Sequence, residues 1–157
     1  SEVCVSDLLF FGWNSTDENV RYEVLVISFI HIDYTNKMVD ICVAGNPFYY
    51  ATTGSDVISY KGSRSSVGYE ENMGELNVLQ IPIETGLRLY MFSDGLQDQF
   101  GGTEAKRFSS KKVAAALNKS KLLSVKEQGY LVLYEWNNWR GVSEQVDDVS
   151  LIIMNFE

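Results

Sequence analysis

Histidine, cysteine and long apolar runs are all scarce in this sequence, and each scarcity excludes some classes of function. Its 157 residues include 1 histidine and 2 cysteines. The sequence therefore has no Cys/His spacing typical of a zinc site, and a single histidine gives little support for a Ser-His-Asp triad. The phosphate loop G-x-x-x-x-G-K-[ST] and the nucleophile motif G-x-S-x-G are also absent. No apolar run reaches the ~18 residues that a transmembrane helix needs, so we expect no membrane insertion.

Positive charge is scarce as well. The chain has 13 Lys and Arg residues against 21 Asp and Glu residues, which gives a formal net charge of −8. Such an acidic chain is disfavoured as a partner of nucleic acid or of an anionic membrane surface. The two cysteines, Cys4 and Cys42, lie in apolar, strand-like stretches. We therefore expect buried free thiols and a reducing, cytoplasmic location.

Apolar residues, by contrast, are plentiful enough for a folded core. With 45% hydrophobic and 13% aromatic residues, the chain is expected to fold as one domain over residues 1–157. Because it begins at Ser1 without a methionine, we expect a processed or excised piece. Short β-rich runs joined by tight turns predict an antiparallel sheet, and helix-forming stretches come only after most of these runs. This order predicts the α+β class.

The positions of strands and helices follow from local pattern. The predicted strands cover residues 3–11, 22–33, 38–44, 48–51, 57–60, 76–83, 87–92 and 149–156, the second and third forming a hairpin. Residues 12–19 are predicted to be a polar turn. Ser109 or Ser110 is predicted to cap a helix over residues 111–118. Ser124 and Glu127 form the capping-box pattern of a second helix, which is predicted to run to about residue 136.

The clearest chemical signal is the apolar run of residues 89–92, which ends abruptly at Ser93. Two carboxylates follow, Asp94 and Asp98, and Gly95 comes directly after the first. A sheet holds a carboxylate at a strand exit while its oxygens reach the surface, and Mg²⁺ binds through one or two such groups plus water or phosphate. Gly95 would let the chain turn at φ values that a side chain resists. The alternative is an ordinary strand followed by an Asp-Gly turn.

A second acidic pair, Asp147 and Asp148, immediately precedes the apolar run of residues 149–154. The two acidic stretches lie at strand ends and could meet at one edge of a sheet. Carboxylates that meet repel each other unless a cation or a proton neutralises them, so such a meeting would favour a metal. The alternative for this pair is a solvated turn.

Four motifs in the same order and spacing resemble the SpoIIE-like branch of the metal-dependent (PPM-type) Ser/Thr protein phosphatases. They are Y-M-F-S-D-G-L-Q-D-Q-F-G-G at residues 90–102, A-G-N-P at 44–47, S-V-G-Y at 66–69, and W-R-G with E-Q-V-D-D-V at 139–141 and 144–149. They resemble, respectively, the strand-and-loop signature of the branch, its AG-[HN]-P turn, its P-[IL]-G segment and its closing W-[KR]-G…Q-x-D-D-[VI] motif. The resemblance extends over residues 24–157.

The resemblance implies the PPM fold, an antiparallel β-sandwich of two sheets flanked by helices, here in partial or degenerate form. It also implies a two-metal centre that holds Mn²⁺ or Mg²⁺ and activates water for attack on phosphoserine or phosphothreonine. The aspartates that match metal ligands of the family are Asp94, Asp147 and, for a further and weaker metal, Asp98. The residues expected to support these ligands are Asp148, Gly95 and Asn46. Asn46 occupies a position where many relatives carry histidine, and an amide cannot titrate as histidine does.

The sequence also departs from the family. Two upstream ligand motifs, G-G-D-[FY] and D-x-[ST]-G-H-G, do not occur. The single histidine, His31, lies within a strand-like run and is assigned no role. The segment around Asp7 faintly resembles the G-D-[FY] strand, which would make Asp7 a substitute ligand. With Asp94 and Asp147 as the secure matches, weak metal affinity is expected, because Mg²⁺ gives up its waters reluctantly.

Two functions of different classes follow. The first is a bacterial phosphatase that removes phosphate from Ser or Thr of a phosphoprotein substrate in signalling. The second is a catalytically inactive, phosphatase-like module that binds a signalling partner or forms a homodimer. The clustered aspartates favour the first function, and the missing upstream motifs favour the second. A third interpretation joins them: the 157 residues are one piece of a longer catalytic domain whose other segment carries the remaining ligands.

Overall fold

The computed structural model describes four stretches of the chain: residues 8–14, 24–45, 47–62 and 77–157. These residues form two compact units. The first unit contains the described residues up to Phe48, those between Ser59 and Leu87, and the last two residues of the chain. The second unit contains Tyr49–Ile58 and Arg88–Asn155.

Ten strands and three helices make up the described part of the chain. In chain order they are β1 (Leu8–Asn14), β2 (Val24–Asp33), β3 (Met38–Ala44), β4 (Phe48–Ala51), β5 (Ile58–Tyr60), β6 (Val78–Pro82), β7 (Arg88–Phe92), α1 (Asp94–Asp98), β8 (Phe100–Gly101), β9 (Lys106–Arg107), α2 (Ser109–Ser120), α3 (Val125–Arg140) and β10 (Leu151–Asn155).

The first unit is built on a four-stranded antiparallel sheet in the order β1-β2-β3-β6. Its core face follows from alternation along the strands. In β3, Val39, Ile41 and Val43 are buried, and the residues between them are half-buried. Ile30 of β2, directly opposite Ile41, is also buried. Since successive side chains of a strand point to opposite faces, these residues bring one apolar face of the sheet together.

The opposite face of this sheet carries a cross-strand polar cluster. His31 lies opposite Asp40, and Asp40 lies opposite Gln80 in the next strand. Gln80 Nε2 donates to Asp40 Oδ1 at 2.7 Å, and His31 Nδ1 lies 3.2 Å from Asp40 Oδ2. These two hydrogen bonds hold the pKa of Asp40 below its usual value, and the bond from Gln80 has the larger effect. Both carboxylate oxygens of Asp40 therefore have partners within the sheet.

The second unit contains β7 between β10 and β4, and both pairings are antiparallel. Its three helices come after β7 in the sequence. The buried core joins residues of both the sheet and the helices, namely Tyr49, Ala51, Tyr90, Phe92, Leu96, Phe108, Val113, Ala116, Leu117, Val132 and Trp136. The helices thus pack on the strand that leads to the first acidic stretch.

The helix predictions are correct in place and partly wrong in their ends. The capping box of α3 is confirmed, because the Ser124 side chain accepts from the backbone of Glu127 and the Glu127 carboxylate accepts from the backbone of Ser124. The helix continues to Arg140 rather than ending near Trp136. The predicted serine cap of α2 is wrong: the N-cap position is Phe108, without a side-chain cap hydrogen bond. Phe108 is buried in the core of the second unit.

Two strand-level predictions are wrong. Residues 12–14 were predicted to be a turn, but Gly12 to Asn14 pair with Val24 to Val26 and extend β1. Pairing with β2 supplies their backbone hydrogen bonds and outweighs their turn-like composition. The predicted Asp-Gly turn after β7 is instead the helix α1. The predicted strand over residues 3–7 lies outside the described residues.

The α+β class with antiparallel sheets is confirmed. Cys42 is a free thiol, half-buried rather than buried; Cys4 lies outside the described residues. In the stretches that the structure describes, no helix combines the length and the apolar character needed to cross a membrane.

Candidate metal centre

Asp94 lies just beyond the end of β7, a strand in the middle of a sheet. Its residues Leu89 to Phe92 are all buried, and it lies between two other strands of the second unit. Ser93 follows in an extended conformation, and Asp94 is the first residue of α1. Asp94 thus leaves the sheet directly from a buried strand that is paired on both sides. The Asp94 residue itself is half-buried.

Strand β10 brings the second acidic stretch to the same place. It runs antiparallel to β7, with Leu151 opposite Phe92. The start of β10 therefore lies beside the end of β7, and the loop before β10 lies beside α1. The backbone of Ser93 donates to the carbonyl of Ser150 at 3.1 Å. The structure thus places the segment of Asp94 next to the loop that carries Asp147 and Asp148.

Gly95 lies close against the backbone of the loop that carries Asp147 and Asp148. A Cβ atom added to Gly95 would lie 2.4 Å from the carbonyl oxygen of Asp148 and 3.2 Å from the carbonyl carbon of Asp147. The atoms in the way are backbone, so they cannot swing aside as a flexible side chain can. Gly95 lies inside α1, and its φ angle is not positive. The prediction that an unusual φ requires this glycine is wrong; close backbone packing requires it.

Polar side chains that sequence reasoning did not single out hold this contact together. The Ser93 hydroxyl donates to the carbonyl of Asp148 at 2.8 Å and accepts from the backbone N–H of Ser150 at 2.9 Å. The Gln145 side chain donates to the carbonyl of Asp147 at 2.8 Å. A serine before an Asp-Gly pair and a glutamine before an Asp-Asp pair were visible in the sequence, but only as parts of motifs.

Asp94, Asp147 and Asp98 differ in how their carboxylates are used. Among the described residues, the Asp94 carboxylate has no hydrogen-bond or ion-pair partner. Asp147 Oδ1 accepts from the backbone N–H of Asp148 at 2.7 Å, and both of these residues are exposed. Asp98 Oδ1 is paired with Arg107 Nη1 at 3.1 Å. The structure therefore places the segments of Asp94 and Asp147 in backbone contact and pairs Asp98 with an arginine.

The donor set fits a hydrated hard cation. Carboxylate oxygens suit Mg²⁺ and Mn²⁺, and Mg²⁺ is commonly held by one or two carboxylates with water at its other positions. Asp94 and Asp147 are carboxylates of this kind in adjacent segments of the fold. Within the described stretches, no three His, Cys, Asp or Glu side chains form a group that could hold a metal ion. Asn46 and Asp7, the other two predicted site residues, lie outside the described residues.

The sequence and the fold both have known relatives. Residues 14–157 match the family model of the stage II sporulation protein E, SpoIIE. The chain belongs to the SpoIIE family. The resemblance inferred from the four motifs is therefore confirmed. None of the curated proteins matches the sequence.

Solved structures similar to this chain include PP2C phosphatase domains of bacterial proteins. The SiaA PP2C domain of Pseudomonas aeruginosa aligns with a TM-score of 0.78 and 22% identity, covering 86% of this chain and 53% of that one. The RsbU and RsbW domains of a Mycobacterium tuberculosis protein align with a TM-score of 0.67 and 18% identity, covering 85% and 36%. The manganese-presoaked phosphatase domain of SpoIIE from Bacillus subtilis aligns with a TM-score of 0.64 and 16% identity, covering 84% and 56%.

These likenesses show the fold. The chain has the PP2C-type fold of the SpoIIE family, as predicted, and spans about half or less of the length of these structures, between 36% and 56%. The activities of these larger domains can only be proposed for this chain.

Proposed function

We propose that this chain is part of a metal-dependent protein serine/threonine phosphatase, which hydrolyses phosphoserine or phosphothreonine on a bacterial, cytoplasmic signalling protein. One observation carries the proposal. The exit of β7 and the entry of β10 hold Asp94 and Asp147 in adjacent segments, with Gly95 against the backbone of Asp147 and Asp148. Membership of the SpoIIE family and the likeness to PP2C phosphatase domains support it.

Asp94 and Asp147 are the residues that would hold Mn²⁺ or Mg²⁺. When bound, such ions would supply an activated water and neutralise charge on the phosphoryl oxygens. Asp98 would join them as a further ligand only if its ion pair with Arg107 opened. That pair costs little to break, because both side chains are substantially exposed, at 60% for Arg107 and 39% for Asp98, and exposed ion pairs are weak. A full two-metal centre would draw its other donors from outside the described residues.

The chain's own residues position the reaction. The buried strand β7 fixes Asp94, and Ser93 fixes the carbonyl of Asp148 and the N–H of Ser150. If the carboxylates of Asp94 and Asp147 approached each other across these segments, they would repel, and a divalent cation would relieve that repulsion. Such a cation would also offset the charge of an anionic phosphoprotein substrate.

The test is manganese-dependent release of phosphate from a phosphoserine peptide by the chain and by its Asp94→Asn and Asp147→Asn variants. The proposal predicts turnover that needs Mn²⁺ and falls at least about 100-fold in both variants, since each change removes a proposed metal ligand. Unchanged turnover in the variants would place the chemistry elsewhere. Absence of both turnover and Mn²⁺ binding in the unaltered chain would rule out catalysis by this chain.

The alternative function is a catalytically inactive module that binds a signalling partner or a second copy of itself. The observation that favours it is an apolar groove of about 450 Å³ in the second unit, between α3 and β10. Its lining includes Tyr130, exposed at 66%, and Leu133, exposed at 40%. Exposed apolar surface of this kind marks interaction sites. Partner binding that survives both aspartate variants would favour this alternative.

A further inference from the structure

Gln99 is a fully buried polar side chain next to the candidate metal centre. Its exposed fraction is 0%, and it directly follows Asp98 at the end of α1. A buried amide costs free energy unless its hydrogen-bonding groups are satisfied. The hydrogen bonds of Ser93 and Gln145 do not explain why the Gln99 amide is buried.

Two of the three polar partners of the Gln99 amide lie in the loop that precedes Asp147. Its Nε2 donates to the carbonyl of Glu144 at 2.8 Å and to the carbonyl of Phe100 at 2.9 Å. Its Oε1 accepts from the backbone N–H of Val146 at 3.2 Å. The orientation of the amide follows from these partners. A flipped amide would set its oxygen against two carbonyls and its nitrogen against an N–H.

The position of these bonds along the chain matters more than their number. Glu144 and Val146 immediately precede Asp147, and Ser93 binds Asp148 and Ser150 just after it. The loop is thus held on both sides of Asp147. The two residues that hold it, Ser93 and Gln99, likewise lie on either side of Asp94. Both aspartates therefore lie between two fixed points.

We propose that Gln99 is a positioning residue, whose buried amide fixes the loop of Asp147 beside Asp94 and so sets the affinity of the site for a divalent cation. This inference rests on the proposed function. Residues behind metal ligands commonly change metal affinity by about 10- to 100-fold when they are replaced. Without Gln99, the exposed loop would be free to carry Asp147 away from a like charge.

Gln128 provides a matched control. It is also a glutamine with an exposed fraction of 0% in the second unit. Its Oε1 accepts from Arg88 Nη1 at 2.8 Å, and its Nε2 donates to the carbonyl of Leu117 at 3.1 Å and to the Tyr90 hydroxyl at 3.3 Å. None of these partners belongs to the loop of residues 144–150. Gln128→Met thus removes a buried amide with three hydrogen bonds and leaves the loop intact.

The experiment compares Gln99→Met with Gln128→Met in the full chain by two measurements. Calorimetric titration with Mn²⁺, well below the melting temperature of each variant, should show affinity about 10-fold or more weaker for Gln99→Met and unchanged for Gln128→Met. Hydrogen exchange without metal should show loss of protection at the Val146 amide in Gln99→Met alone. Equal manganese affinity in both variants, or unchanged exchange at Val146, would overturn the proposal.

The two measurements also separate this proposal from the proposed function. If the unaltered chain binds no Mn²⁺, the proposed function fails and the proposal that Gln99 sets metal affinity fails with it, whereas exchange at Val146 still reports on the loop. If Gln99→Met does not fold, the unaltered chain is titrated with Mg²⁺ and followed by NMR. Slower exchange of the Gln99 side-chain amide protons, with no change at Gln128, would support the proposal. Equal behaviour of the two glutamines would contradict it.

Discussion

Asp40 in the first unit and Asp94 in the second are both half-buried carboxylates, yet their surroundings differ in kind. Around Asp40, the neighbouring side chains of Gln80 and His31 bind the carboxylate itself. Around Asp94, the neighbouring polar side chains, Ser93 and Gln99, bind backbone groups of the adjacent loop. Among the described residues, the Asp94 carboxylate is left without a partner.

This difference separates a structural carboxylate from a candidate ligand. A carboxylate whose two oxygens already have partners is complete without any added group, and its hydrogen bonds contribute to folding. A carboxylate that has no protein partner keeps its oxygens available to a ligand from outside. Hydrogen bonds to the backbone beneath a site keep it in place without occupying its donors, as functional sites require.

The largest expected effect comes from breaking the contact between the two segments of the candidate centre. Gly95→Ala would place a Cβ atom 2.4 Å from the carbonyl oxygen of Asp148. Because backbone must move, we expect a loss of about 1–3 kcal/mol in the free energy of unfolding. Chemical denaturation measures it.

Gly129→Ala is the control for that substitution. Nothing lies within 4 Å of a Cβ atom at Gly129, which is in the middle of α3. Alanine there should stabilise the chain by about 0.5–1 kcal/mol, since glycine is a poor helix former. If both substitutions changed the free energy of unfolding in the same direction, close packing would not be the reason for the glycine at position 95.

A smaller effect, dependent on pH, is expected in the first unit. The hydrogen bonds from Gln80 and His31 lower the pKa of Asp40 in the folded state. The stabilisation that they give is therefore fully present above the unfolded pKa of about 3.9 and is lost as the pH falls through the lower folded value. Gln80→Ala should raise the pKa of Asp40, as measured by NMR titration of its carboxyl carbon, and should reduce the loss of stability between pH 5 and pH 2. A pKa of Asp40 that stayed the same in Gln80→Ala would contradict this assignment.

Local signals account for what the sequence predicted correctly. The hairpin of β2 and β3 follows from two β-rich runs joined by a short turn, and the β3 bounds, Met38–Ala44, match the prediction. The capping box at Ser124 is likewise a pattern spanning four positions. The acidic ends of β7 and β10 were recognised because each follows or precedes an apolar run.

Non-local contacts account for what the sequence did not predict. Gln99 is a polar residue in a polar stretch, and its burial depends on a carbonyl 45 positions away, at Glu144. The reason for Gly95 is also non-local, because the obstructing atoms belong to Asp147 and Asp148. Helix α1 has only five residues, too few for a helical period to show. Helix α2 follows the buried Phe108 and has no serine cap, and the burial of Phe108 depends on residues distant in sequence.

Calorimetric titration with Mn²⁺ of the unaltered chain, Asp94→Asn and Asp40→Asn tests the central distinction most directly. If Asp94 is an open ligand and Asp40 a structural carboxylate, Asp94→Asn should weaken manganese binding by more than about tenfold. Asp40→Asn should bind as tightly as the unaltered chain. Equal manganese affinity for Asp94→Asn and the unaltered chain, or an equal loss in both variants, would contradict the account.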